Sequence, residues 1–375
     1  MSPPFLSVRL FLALAAPALS AAAQSVTVPD LAGTLPGNAA MSMPLRWSQG
    51  TLQVILDQSL IPAAARGGIR GLHLRRPALL GEPPYQALTR TLTVRAGTTR
   101  APARAVQWTL SANQPANLQT VFGPAQVQIA PSLGPGPSGV LGAELLAIPF
   151  STPIALPVAG DNLFLEFETT DSGLAVDPGN WVDAVWFTGG ADGGYAATAG
   201  EGGCGGSTTP TTLRWDSASM PRRGASARLL FESGFPEAFA LALVSMSPQT
   251  RAPGPSFLGF GADLSSLGLQ GCYQWSAPDA VLFGQTTVVG SWQVDFSVPT
   301  AHLNAGDRLG VQVAVLAPGA NPLGFALSNG VVLVLDQAGV GDHGASVFFP
   351  GAATPSSVTP WPPFVGLLPV LVLDY

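Results

Sequence analysis

Apolar and polar positions alternate with a period of two over short runs, and clusters of Pro, Gly and Asn end each run. In residues 69–76 Ile69, Gly71, His73 and Arg75 fall on one face and Arg70, Leu72, Leu74 and Arg76 on the other. Residues 46–56, 88–95, 105–110, 125–129, 154–157, 163–169 and 184–188 read as further strands, and helical periodicity is almost absent. A second series covers 225–231, 238–244, 272–276, 290–296, 308–316, 323–326 and 331–335. Within it, Asn321-Pro322-Leu323-Gly324 and Ser328-Asn329-Gly330 carry tight-turn chemistry, so 311–335 reads as strand, turn, strand, turn, strand.

A Gly- and Ala-rich tract, 189–206, lies between the two series and reads as a boundary. The resulting division is 1–23, a signal peptide; 24–199, a jelly-roll-like β-sandwich; 200–336, a disulfide-linked β-sandwich module; and 337–375, a Pro/Gly-rich tail ending in a strand. The fold class is thus all-β, with two sandwich domains of jelly-roll-like or immunoglobulin-like type. The apolar run 367–373 is expected to enter a sheet, and the pattern does not say which.

The signal peptide rests on Arg9, the apolar stretch Leu10 to Leu19 and the small residues Ala21-Ala22-Ala23 before Gln24. It implies a secreted or cell-envelope location. No later apolar run reaches the roughly 20 residues of a membrane-spanning helix, so no transmembrane segment is expected. Of 375 residues 47% are hydrophobic, enough for packed cores. Only 10% are charged, Lys is missing and the net charge is −6, which argues against nucleic acid as a partner.

An even pair of cysteines in a secreted chain points to a structural disulfide between Cys204 and Cys272. Redox or metal chemistry would need close spacing or His neighbours, which neither cysteine has. The three histidines, His73, His302 and His343, lie in no nucleophile-elbow or H-E-x-x-H motif. Glu166 and Glu168 project from one face of a strand, a spacing open to a glycosidase pair but explained by a solvated face. Asp161, Asp171, Asp177, Asp183 and Asp192 could offer oxygens to calcium but follow no fixed ligand pattern. No catalytic residue, cofactor or metal site is assigned. Trp181, Trp186 and Tyr195 are the candidate ligand-binding residues, as rings that could stack on sugars; core packing is the competing fate of Trp186 and of Trp108.

The segment 202–335 resembles a module of secreted, largely uncharacterised bacterial β-sandwich proteins. The residues that carry the likeness are the GCGGSTTPTTL opening, FPEAFALALVSMS from Phe235, LGLQGCYQW from Leu267 and VPTAHLNAGDRLGVQVAVLAPGANPLGFALSNGVVL from Val298. The resemblance implies a structural Cys204–Cys272 pair and no activity. Strand patterns at Ile69 to Arg76, Leu92 to Thr99 and Pro149 to Thr170 are similar to jelly-roll-like domains found beside that module. The expectation is a non-enzymatic surface or interaction protein of the bacterial exterior. The alternative is a carbohydrate-binding module that uses first-domain loops with or without calcium, and both glycans and cell-surface proteins stay open as partners.

Overall fold

The computed structural model describes residues 24–33, 37, 39–77, 85–131, 141–171, 180–187, 195–199, 203–204, 210–216, 219, 221–246, 262–270, 272–276, 279–301, 303, 307–335, 344–350, 363–365 and 367–375. The chain is all-β, built from antiparallel sheets. In chain order the strands are β1 (Ser25–Val28), β2 (Ala39–Met41), β3 (Gln49–Leu56), β4 (Ile69–Arg75), β5 (Leu88–Thr99), β6 (Gln119–Ile129), β7 (Glu144–Ile154), β8 (Asn162–Thr170), β9 (Val182–Trp186) and β10 (Tyr195–Ala199). They continue as β11 (Thr212–Trp215), β12 (Ser226–Glu232), β13 (Phe239–Ser245), β14 (Ala262–Asp263), β15 (Tyr273–Gln274), β16 (Ala280–Gln285) and β17 (Ser291–Ser297). The last six are β18 (Arg308–Leu316), β19 (Phe325–Val334), β20 (Gly344–Pro350), β21 (Phe364–Val365), β22 (Leu367–Pro369) and β23 (Leu371–Asp374).

One core lies among a six-stranded sheet of order β21-β20-β3-β8-β5-β6, a four-stranded sheet β1-β23-β4-β7 and a three-stranded sheet β2-β9-β22. Leu52, Val54, Val94, Leu165 and Phe167 of the six-stranded sheet meet Leu72, Leu74, Leu371 and Leu373 of the four-stranded one, all buried. A side chain of this size contributes about 1.5–3 kcal/mol when fully buried. The apolar C-terminal run therefore enters this core: β23 sits between β1 and β4, β22 pairs β9, and β20 pairs β3.

The other core lies between a five-stranded sheet of order β10-β19-β18-β13-β16 and a three-stranded sheet β11-β12-β17. Ala240, Ala242, Val311, Val313 and Val315 face Leu229, Phe231 and Val294 across it. Gly284 sits where a Cβ would strike the Trp292 indole at 2.2 Å, so glycine allows the ring of β17 to lie against β16. The described part of the Gly/Ala tract, β10, pairs with β19.

Two strand expectations are corrected. Residues 105–110 are not a strand: a 3-10 turn, Ala103–Ala105, and a one-turn helix α1 (Leu110–Asn113) flank them. That segment buries Ala103, Val106 and Leu110 against Ile55, Phe164 and Val347 on the far face of the six-stranded sheet. Ser328-Asn329-Gly330 is no turn either: β19 runs on through it, with a register shift against β18 that sets Ser328 and Asn329 opposite Val313. The Asn329 amide is buried, and it bonds the N–H and the carbonyl of Leu213 at 2.8 and 2.7 Å, so a turn-type residue ties β19 to the opposite sheet. The other expected turn is present: Gly324 has φ +67°, and its N–H donates to the carbonyl of Asn321 at 3.0 Å.

Candidate functional site

Registers place Gln53, Glu166 and Arg95 in one row across β3, β8 and β5, and Thr51, Glu168 and Thr93 in the next. The expectation of a solvated face fails here, since Glu166 is 1% exposed. The reason is the segment through α1, which period-two reading took for a strand and which folds over this face. Gln53 Nε2 donates to Glu166 Oε2 at 2.6 Å and to the Leu110 carbonyl at 3.1 Å. Gln114 Nε2 reaches the same carboxylate at 2.8 Å, and Asn113 Nδ2 donates to Gln53 Oε1 at 3.0 Å.

Arg95 closes the cluster, with Nη1 2.6 Å from Glu166 Oε1 and Nη2 2.7 Å from Glu168 Oε2. Burial disfavours its cation, but the two carboxylates outweigh that and raise its pKa above the ordinary value. A glycosidase needs its two carboxyl groups separated by a gap that admits substrate. Here one guanidinium spans both, and Glu166 has three donors on its two oxygens. The arrangement clamps a loop to a sheet.

The other ionisable groups are held in similar ways. Asp183 is fully buried; burial raises its pKa to about 6 against the opposing pull of Arg75, whose Nε lies 2.6 Å from Oδ2, and of the Gly37 N–H at 3.0 Å. His73 bridges Glu144 (2.8 Å) and Asp374 (2.7 Å) across β7, β4 and β23. Asp161 pairs with Arg100, and Asp171 accepts the N–H of Thr91. His302, His343, Asp177 and Asp192 lie outside the described residues. Among the described residues no three His, Cys, Asp or Glu side chains are placed to hold a metal ion.

The candidate aromatic residues do not converge. Trp181 is half-buried with the Arg46 guanidinium stacked 4.2 Å from its ring, and its carbonyl accepts the Tyr85 hydroxyl. Trp186 meets Phe364 edge to face at 6.3 Å. The two tryptophans are five residues apart, so in extended chain they point to opposite faces about 17 Å from each other. Tyr195 belongs to β10, opposite Val334 in the other assembly of sheets. Core packing, the expected fate of Trp186 and Trp108, is not what is found: they are 46% and 51% exposed.

The feature that sequence reasoning missed is an exposed apolar strip on the outer face of the five-stranded sheet. Phe283 is 72% exposed and packs 6.1 Å from Phe239, with Val281, Leu316 and Leu323 also exposed. Part of this face is covered. Cys204 and Cys272 are joined as expected, with Cα atoms 5.2 Å apart, and fix Leu264 and Leu269 over Ala314 and Leu327. The run Ala280-Val281-Leu282-Phe283-Gly284 hides its alternation, because Leu282 packs inward on the core while Phe283 points out.

No family model, no curated protein and no solved structure matches the chain. The reading of the site therefore rests on its own geometry.

Proposed function

We propose that the chain is a non-enzymatic, extracytoplasmic structural or interaction protein of two β-sandwich units, whose working surface is the apolar strip around Phe283. The observation that carries this reading is the contrast between polar and apolar groups. The carboxylates described above are engaged by Arg, Gln, His73 or main-chain donors, whereas Phe239, Val281 and Phe283 stand in solvent. A contiguous exposed apolar surface of this kind is characteristic of contact sites between macromolecules. The disulfide supports an oxidising compartment, and no helix among the described residues is long and apolar enough to cross a membrane.

The test is a hydrolase substrate screen on the wild-type chain beside Glu166→Gln. No turnover in either is expected. Robust turnover abolished by the substitution would overturn the reading.

A second reading, carbohydrate binding on the first unit, is favoured by the open ring of Trp186 beside Phe364. A glycan array run with calcium and with a chelator decides it. Selective binding lost in Trp186→Ala supports it, and a blank array removes it.

A further inference from the structure

The apolar strip ends on a sheet edge whose backbone is open. Among the described residues, strand β16 is the last strand of its sheet and pairs only with β13. Gly284 lies opposite Ala240, and two residues on, Thr286 N–H donates to the Ala238 carbonyl at 2.9 Å. The even-numbered residues of β16 therefore turn their main-chain groups toward β13. Val281, Phe283 and Gln285 turn theirs outward, as alternation in an antiparallel ladder requires. Phe283 at 72% exposure shows that nothing among the described residues covers this place.

Four other edge strands are blunted. On β6 there is Pro124 together with register shifts in its pairing, and on β7 there are Pro149, Pro153, Glu144 and further shifts. On β17 there is Asp295, held by Arg228 at 2.9 Å, and on β11 there is Arg214. Such devices keep edges from pairing with other chains. On β16 there is no Pro, no charge and no shift in its register with β13.

Charge selects the occupant. From Ala280 to Val294 the chain has no ionisable residue, although the whole carries −6. Two copies carry the same net charge but meet no like charge on this strand, while a strongly charged partner finds nothing there to pair with. The strand is also self-complementary. A two-fold axis at Phe283 sets Phe283 against its own copy and Val281 against Gln285, and these are the residues with outward main-chain groups. That pairing forms about six backbone hydrogen bonds and puts the two exposed Phe283 rings side by side on one face.

We infer that the β16 edge is a homodimerisation surface, on which a second copy adds its own β16 antiparallel about Phe283 and joins two five-stranded sheets into one. This rests on the interaction reading above and names its partner.

The experiment is analytical ultracentrifugation of the purified chain across the micromolar range, on wild type and Phe283→Lys, with Phe283→Cys and Phe239→Cys tested for covalent dimers on non-reducing gels. Because Cys204 and Cys272 are joined, each new thiol is the only free one among the described residues. Opposed residues of a hydrogen-bonded pair have Cα atoms about 5.5 Å apart, within disulfide reach. Expected are concentration-dependent dimers, weakened about 100-fold or more by Phe283→Lys, and a cross-link through position 283 but not through 239. A melting curve like that of wild type confirms that Phe283→Lys still folds.

A chain that stays monomeric, or one that dimerises equally well with Phe283→Lys and without the 283 cross-link, overturns the proposal. A monomer that captures an unrelated extended peptide on β16 also overturns it and leaves the interaction reading standing. Substrate turnover that depends on Glu166 would instead sink that reading.

Discussion

Val28, in the first strand, lies directly opposite Leu371, in the last, and both are fully buried. Gln24 and Tyr375 continue the pairing with reciprocal main-chain bonds of 3.3 and 2.9 Å. The C-terminal strand thus joins β1 to β4, and without it β1 would lose its strand partner and β4 would become an edge. Leu371→Ala is expected to lower the unfolding free energy by about 2–5 kcal/mol, read as a shift of the urea midpoint. A midpoint within error of wild type would mean that β23 is not part of the cooperative core.

Removing Arg95 leaves the buried Glu166 charge without its cation, an imbalance that costs about 3–5 kcal/mol when a partner of a buried pair is deleted. Arg95→Ala should therefore unfold at much lower temperature than wild type. Adding Glu166→Gln to that variant should recover part of the loss, because the stranded charge is gone. If the double variant is no more stable than Arg95→Ala, the carboxylate is not the source of the cost.

Burial alone would lower the pKa of His73, but the hydrogen bonds and charges of Asp374 and Glu144 outweigh it and raise the pKa above 6.5. The folded chain then holds a proton that the unfolded chain has released. The stabilisation is fully present below pH 6.5 and is lost as pH rises through the higher folded pKa. Wild type should lose unfolding free energy upward from that pH, and His73→Gln should lose less. Parallel slopes for the two proteins would refute the bridge.

The disulfide closes a separation of 68 residues, for which chain entropy gives a stabilisation of about 4 kcal/mol. It also fixes Leu264 and Leu269 over Ala314 and Leu327. Cys204→Ser with Cys272→Ser is expected to melt earlier and to bind more of a hydrophobic dye before unfolding. Earlier melting with unchanged dye binding would show that the cover stays in place without the bond.

Much of the fold is legible in the alternation of side chains. Leu163, Leu165 and Phe167 face the core as the pattern in β8 requires, and the cysteines join as expected. What period two cannot say is whether the second face of a strand is wet. Glu166 alternates as a solvated residue would, yet the segment through α1 covers it. Nor does local turn chemistry survive every tertiary context. Asn329-Gly330 has the composition of a hairpin turn, but β19 takes it up as a local register shift against β18, and the Asn amide bonds to Leu213 instead. The strip at Phe283 is the least legible part, since Leu282 and Phe283 look alike in sequence, and the packing of Leu282 on the core and of Trp292 on Gly284 shows which side of β16 is inward.

The most direct test of the interaction surface is amide hydrogen exchange on β16 as a function of protein concentration. Val281, Phe283 and Gln285 have their N–H groups on the open edge, so they should exchange quickly in dilute solution and become protected as concentration rises, while the amides of β13 stay protected throughout. Exchange at these three positions that is fast at every concentration would contradict the account.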